Sequence, residues 1–496
     1  MRHFQLRMAV LHGTHVRRAF LALALPLLGA CAAAQPFDNA PPSSVRPWKA
    51  PTLSEYSAAL SRTEQAREPA MVSVDPQKTY ELSELIDLAQ RTNPETRVAW
   101  EHARQAAVAA GLAEGTYYPA LVLAATGAVA HVPLPIPQTV VPGGVFTADT
   151  HFVIPALSLE WLLLDFGRRR ALVDAAEAQI MEATAGFNAK HQQIVFDVTR
   201  EFHALTAVRG KVAAERAALD SARSLEESAA ARKQHGLATL PELLQAQEQT
   251  ARATYDLEDA LAAEHDARMA LLETIGIRPG TPIDVADMSQ QPLPPALEQS
   301  VDEAIDRALT QRPDLIARLA SVRAKEAEVR KARADFWPRF LARAAVEGNI
   351  GELKVENSPY QSVGELQYDA GFRFEWTLFE GFERRNKVHL AESQQREAED
   401  ELEHAKDKAV REVWKAYNDA KVALAKQHAA AALLAASEKA WAATLDSYHH
   451  GLATFPDVRE AQRNLAGART VDVAARAEVL TRAAAFAFAT GDLARP

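Results

Sequence analysis

The chain repeats itself, and that duplication limits what it can fold into more than any other feature. Ile86-Asp87, Pro94, Arg104 and Pro119 recur as Ile305-Asp306, Pro313, Arg323 and Pro338, each 219 residues later. Glu160-Trp161, Ala176-Glu177 and Gln179 recur as Glu375-Trp376, Ala391-Glu392 and Gln394, now 215 residues later. The same separation relates the run His235 to Pro241 to the run His450 to Pro456, and Gly276 to Gly491. One supersecondary unit is therefore used twice. The register slips once, by four residues, between the prolines and the tryptophans. A loop absorbs such a slip far more easily than a helix.

Each unit contains a proline-free helical run of 67 residues, 168–234 and 383–449. At 1.5 Å per residue such a helix is roughly 100 Å long, more than a globular domain can enclose. Val198, Leu205, Val212 and Leu219 recur every seven residues, a coiled-coil spacing. The chain is rich in alanine, which favours helix and lets helices approach closely. Gly236 and Gly451 suit the left-handed position that stops a helix. Thr239 and Thr454 are N-cap candidates for a return helix that runs to Gly276 or Gly491. Thr239 to Glu242 and Thr454 to Asp457 both have capping-box spacing, with Asp457 where Glu or Gln is usual. The tips are thus 235–241 and 450–456.

The interval that contains the slip reads as strand. Tyr368, Ala370, Phe372, Phe374, Trp376 and Leu378 fall on one face, Asp369, Arg373, Glu375 and Thr377 on the other. Phe340, Ala342, Ala344 and Val346 alternate with Arg343 and Glu347, and Leu157, Leu159 and Trp161 with Ser158 and Glu160. Strands are expected at about 120–133, 150–165, 339–349 and 366–379, with Pro133, Pro135, Pro137, Pro142, Gly143 and Gly144 as turn material. Apolar-one-side strands fit a sandwich facing its core or a barrel facing lipid. Aromatics mark the feet of each hairpin: Tyr117, Tyr118, Phe336 and Trp337 before it, Trp161 and Trp376 after it. Such residues suit a membrane interface or a core junction.

The first thirty residues read as a secretory signal. Arg2, Arg7, Arg17 and Arg18 precede an apolar run, Ala19 to Leu28, too short to span a bilayer. The run ends in Leu28-Gly29-Ala30-Cys31, which resembles a bacterial lipobox, and Cys31 is the only cysteine of the chain. The resemblance implies cleavage before Cys31, its lipidation, and, with Ala32 next, sorting to the outer membrane. Residues 31–77, rich in proline and serine, read as a tether. The repeats span 78–276 and 301–491, joined by a proline-rich linker, 277–300, and followed by a short tail, 492–496.

The net charge of −10, from 55 basic and 65 acidic side chains, argues against nucleic acid as a partner. No nucleophile elbow, phosphate loop or dinucleotide fingerprint occurs, so no catalytic constellation or cofactor is expected. Fifteen histidines give one adjacent pair, His449-His450, whose side chains point apart on a helix, so no metal site is expected either.

The duplicated tips, each followed by Ala-Gln (Ala246-Gln247 and Ala461-Gln462), and the two aromatic-proline hairpin feet resemble the TolC-like outer-membrane efflux proteins, specifically their lipidated branch. Asn93-Pro94-Glu95 and Arg312-Pro313-Asp314 are similar to that family's helix opening, with Arg312 in place of Asn. The resemblance covers about residues 78–491. It implies a mainly α fold with a small β part, built from a duplicated helix, β-hairpin, long helix, helix unit. Three chains would form a 12-stranded transmembrane β-barrel and a periplasmic α-helical coiled-coil tunnel, with lipid outside and charge inside. The implied function is passive conduction in a tripartite efflux system, with a periplasmic adaptor (membrane fusion protein) and an inner-membrane transporter of the RND type. Gly236, Leu237, Ala238 and Thr239, with Gly451, Leu452, Ala453 and Thr454, match the adaptor-contact turns. Asp457 and Glu460 match acids that narrow the tunnel entrance, with Glu242 as the first repeat's counterpart. Tyr448 matches a latch residue, whose basic partner is replaced by Ala453, leaving Arg459 as a substitute. Two other readings stay open: an outer-membrane duct for type I protein secretion, and a periplasmic coiled-coil lipoprotein without a pore.

Overall fold

The computed structural model describes residues 53–66, 74–135, 145–287, 293, 300–356 and 358–493. Cys31 and the signal segment lie outside them. Helix α1, Leu53–Ala66, falls within the stretch expected to be a tether and belongs to a unit of its own, residues 1–73. The second unit is Val74–Pro496.

Its first repeat opens with strand β1 (Thr79–Tyr80) and helices α2 (Leu82–Thr92) and α3 (Pro94–Gly115). Strands β2 (Ala120–Pro135) and β3 (Val145–Leu164) lead into α4 (Arg168–Gln234), which turns into α5 (Leu240–Ile275). After β4 (Asp284–Val285) the second repeat runs α6 (Val301–Gln311), α7 (Pro313–Ala334), β5 (Arg339–Val355), β6 (Gln361–Glu375), α8 (Glu383–His449) and α9 (Phe455–Thr490).

Local chemistry explains the helix ends. Asn93 caps α3: its Oδ1 accepts from the Glu95 N–H at 2.8 Å, and its Nδ2 donates to the Thr274 carbonyl at 2.9 Å. Arg312 stands at the same place before α7 but carries only donors, so it cannot cap an N–H. Its guanidinium instead bridges Asp314 and Glu412 at 2.8 and 2.7 Å. Gly276 ends α5 at φ +82° and rests on this joint: a Cβ there would lie 2.8 Å from the Asn93 Cα.

The heptad residues Val198, Leu205, Val212 and Leu219 are all buried. Val198 and Leu205 pack with Phe202, Leu271, Leu272 and Ile275 into the main core, together with Leu85 and Leu88 of α2. Val285 of β4 joins that core, because β1 and β4 pair in parallel, Thr79 with Asp284 and Tyr80 with Val285. Part of the expected linker is therefore structured. Two residues are too few to show a period.

Strands β2, β3, β5 and β6 form one antiparallel sheet in that order. They differ from the expected spans. β3 and β5 extend farther toward the loops, and β6 starts at Gln361 and stops at Glu375, so Trp376 and Leu378 follow the strand instead of lying in it. Pro133 and Pro135, expected in a turn, sit in β2 opposite Thr147 and Val145. Proline is tolerated there because β2 is an edge strand. Pro155 lies in β3, which is central; pairing with β5 skips Ile154 and Pro155, and Gly348 opposite leaves room for the proline ring, its own Cβ position being 3.3 Å from the ring.

The register merges the alternations seen in single strands into one pattern. Phe340–Phe374, Ala342–Phe372, Ala344–Ala370 and Val346–Tyr368 pair on one face, shared with Leu157, Leu159 and Trp161. Glu160 pairs with Arg343 on the other, where Asp369, Gln367 and Arg373 also lie. Tyr368 and Phe372 are more than four-fifths exposed, so none of the described residues covers them on the apolar face. Strands of 15 to 20 residues exceed the roughly 9–11 that a tilted membrane strand needs. Among the described residues no helix is long and apolar enough to cross a membrane.

Candidate functional site

Two places repeat with matched side chains: the tips at the far ends of α4 and α8, and the joints where sheet meets helix.

Both tips are built alike. After α4 the Gly236 N–H donates to the Lys233 carbonyl at 3.0 Å and the Leu237 N–H to Arg232 at 2.8 Å. After α8 Gly451 donates to Tyr448 at 3.1 Å and Leu452 to Ser447 at 2.8 Å. This doubly bonded turn needs a left-handed residue, and the two glycines supply it at φ +71° and +73°. Leu237 and Leu452 are left as exposed apolar knobs, at 69% and 83%. Ala238 and Ala453 are half-buried beneath them, and Thr239 and Thr454 open the return helices.

The two caps differ in a way that spacing alone does not reveal. The capping box closes in the second repeat, where Asp457 Oδ2 accepts from the Thr454 N–H at 2.8 Å and its hydroxyl at 2.6 Å. These bonds hold the exposed Asp457 carboxyl below the usual range. In the first repeat only half of the box forms: Thr239 Oγ1 accepts from the Glu242 N–H at 3.4 Å. The Glu242 carboxylate turns instead to the other repeat and accepts from the Tyr448 hydroxyl at 2.8 Å.

That bond ties the tips together. Tyr448 is 5% exposed and packs with Phe455, Val458, Leu225, Ala229 and Ala246 in a cluster drawn from both repeats. Burial, reinforced by the Glu242 carboxylate, pushes its phenol up to about 12. The basic group beside Tyr448 is Arg232, whose guanidinium lies 4.8 Å over its ring. Arg459, the substitute expected from sequence, points elsewhere, 3.9 Å from Glu248, with a buried Nε that has no partner. Glu460 is exposed, with Arg463 3.7 Å away. Asp457 and Glu460 both point to the surface of one chain.

At the joints the sequence pointed to the aromatics Tyr117, Trp161, Phe336 and Trp376 but not to the arginines and acids between them. Arg169, buried, donates to Asp165 Oδ2 at 3.0 Å and to the carbonyls of Leu162 and Leu163 at 2.6 and 3.0 Å, and lies 4.8 Å over the Tyr117 ring. Arg384 repeats this: it pairs with Glu380 at 2.6 Å, bonds the carbonyls of Thr377 and Asp335, and lies over Phe336. Trp161 and Trp376 donate their indole N–H to the carbonyls of Tyr117 and Phe336, at 2.8 and 3.1 Å. Two consecutive left-handed residues make each bend, Phe166-Gly167 and Gly381-Phe382. The signal was present, since Asp165/Glu380 and Arg169/Arg384 stand at the repeat separation of 215. Tyr118, Trp337 and Trp376 are exposed beside the clamps.

Comparison with known proteins gives one consistent family. The family described as outer membrane efflux protein matches residues 85–277 and 304–492, well over half of the chain. "Protein CyaE" of Bordetella pertussis is 28% identical over 418 residues, 84% of each chain. The outer membrane protein OprJ of Pseudomonas aeruginosa is 25% identical over 88% of each. Among solved structures, the Campylobacter jejuni CmeC outer membrane channel superposes with a TM-score of 0.69 at 18% identity, covering 83% of this chain and 85% of that one. The open state of the Neisseria gonorrhoeae MtrE outer membrane channel gives 0.67 at 20% identity, covering 83% and 88%.

Proposed function

This chain belongs to the outer membrane efflux protein family, and from that premise we propose that it is the passive exit duct of a tripartite pump. It is an outer-membrane efflux channel, and members of this family act as trimeric channels with periplasmic adaptors and inner-membrane pumps. The finer reading is a homotrimer whose twelve strands close a barrel, anchored through acylated Cys31. An adaptor docks on the tips, and an RND-type transporter supplies the energy. The aromatics Tyr117, Tyr118, Trp161, Phe336, Trp337 and Trp376 sit at the periplasmic membrane interface, where their rings suit the headgroup level.

The observation that carries the reading is the paired tip. Two identical turns, each a small-residue knob crowned by an exposed leucine, end two 67-residue helices and are fastened to each other by Tyr448 and Glu242. An adaptor that grips Gly236–Thr239 and Gly451–Thr454 can loosen that fastening and open the entrance. Asp457 and Glu460, tripled by symmetry, make anionic rings that favour cations. Export of proteins in place of small molecules uses the same duct, and the inner-membrane partner distinguishes the two.

The test is Leu452→Asp, which places a charge on the knob without touching the turn's hydrogen bonds. The variant is expected to reach the outer membrane as a trimer and to lose co-purification of the adaptor from native cells. Undiminished co-purification would remove the tips from the docking surface.

A further inference from the structure

Helices α4 and α9 and the residues just after β4 line a half-open cavity of about 470 Å³ that the duct reading leaves unused. The packing explains its existence. A Cβ on Gly210 would lie 2.3 Å from Val473 Cγ1, so the two helices touch there. Ala207 and Ala477, on neighbouring turns, are too short to fill the space beside that contact. Each helix is also flanked by one of its own chain, α5 on α4 and α8 on α9.

One group in it is out of place. His203 is 4% exposed and lines the cavity, yet neither ring nitrogen has a hydrogen-bond partner among the described residues; its only ring contact is Phe202, edge-on at 5.5 Å. Burial pushes its pKa down to about 4, so the ring is neutral at physiological pH and offers one donor and one acceptor. Its nitrogens are not sealed from the cavity, so a molecule that enters it can hydrogen-bond to them. The charged residues at the rim are already engaged. Arg209 holds Glu264 and Asp284 at 3.3 and 3.2 Å and the Val285 carbonyl at 2.9 Å, and Arg476 and Asp287 have partners of their own. What remains is an alanine, valine and leucine wall with the Thr206 hydroxyl, which donates to the Phe202 carbonyl, and a neutral imidazole without a protein partner among the described residues, in a volume within the roughly 300–1,000 Å³ of small-molecule sites.

We propose that this cavity binds a small, uncharged, mostly apolar molecule whose one hydroxyl or amide hydrogen-bonds His203. The cavity is separate from the tips, so this binding does not depend on adaptor docking.

The experiment uses the full chain in lipid nanodiscs and 2-naphthol as probe, measured by equilibrium dialysis against empty nanodiscs. One probe per protomer is expected beyond the lipid background. His203→Phe keeps the ring's shape and should weaken binding about tenfold, the loss of one hydrogen bond. Naphthalene should bind more weakly and equally to both forms. Ala477→Phe should abolish the site while the oligomer's mass stays unchanged. Uptake equal to that of empty nanodiscs, uptake indifferent to both substitutions, or equal uptake of the charged 2-naphthoate would overturn the proposal.

Discussion

Tyr448 and Glu242 are 206 residues apart in sequence and 2.8 Å apart in space. No local signal announces such a pairing. Tyr448 was legible as a site residue only through family resemblance, and the basic group over its ring, Arg232, was not legible at all. Glu242 was expected to complete a capping box; the buried phenol beside it competes for the same carboxylate and wins. Tyr448→Phe removes a hydrogen bond to a charged acceptor, worth about 2 kcal/mol. The account predicts a looser tip, read as higher single-channel conductance than wild type in a planar bilayer, with the trimer intact. A second residue-scale prediction concerns pH. His203 titrates near 6.5 when unfolded and about 4 when folded, so between those values only the unfolded chain takes the proton. Stability therefore falls as pH drops through that window, by up to roughly 3 kcal/mol at its lower end. Thermal midpoints of wild type and His203→Phe should diverge as pH is lowered from 7 to 4 and converge above 7.

At the scale of elements, two periodicities made the order of parts legible: seven-residue spacing in Val198 to Leu219, and apolar residues at every second position in Phe340 to Val346 and Tyr368 to Phe374. The strand ends were less legible for physical reasons. Toward the loops β3 and β5 lose their alternation but keep their ladder bonds. At the foot Trp376 continues the alternation although the backbone has already left the sheet, because β6 pairs with β5 alone and β5 begins at Arg339, opposite Glu375. β1 and β4 are too short to carry any pattern. The joint clamps were visible only as matches at the repeat separation, which says that a residue matters twice without saying why. Their role can now be tested. Arg169→Met strips the partner from Asp165, whose side chain is 6% exposed, and should cost about 3–5 kcal/mol. The expected readout is a lowered melting temperature of the assembled protein. Restoring it by also changing Asp165→Asn would confirm an uncompensated buried charge as the cause, and an unchanged melting temperature in the single variant would rule the clamp out as structural.

At the scale of the whole molecule, one chain is visibly incomplete. Its sheet ends in two open edges, β2 and β6, and presents Tyr368, Phe372 and Leu366 to no partner of its own. Open edges are not tolerated in lipid, so the sheet must continue into another copy. β2 and β6 run in opposite directions, as an antiparallel ring of copies requires. The opposite, charged face, with Glu160, Arg343 and Asp369, then lines the interior of the barrel. The most direct test is planar-bilayer conductance of the detergent-extracted protein, measured with its mass. The account predicts a three-chain assembly that conducts, prefers cations, and loses that preference in the Asp457→Asn, Glu460→Gln double variant. A single-chain mass with no current, in wild type and in Tyr448→Phe alike, would contradict it.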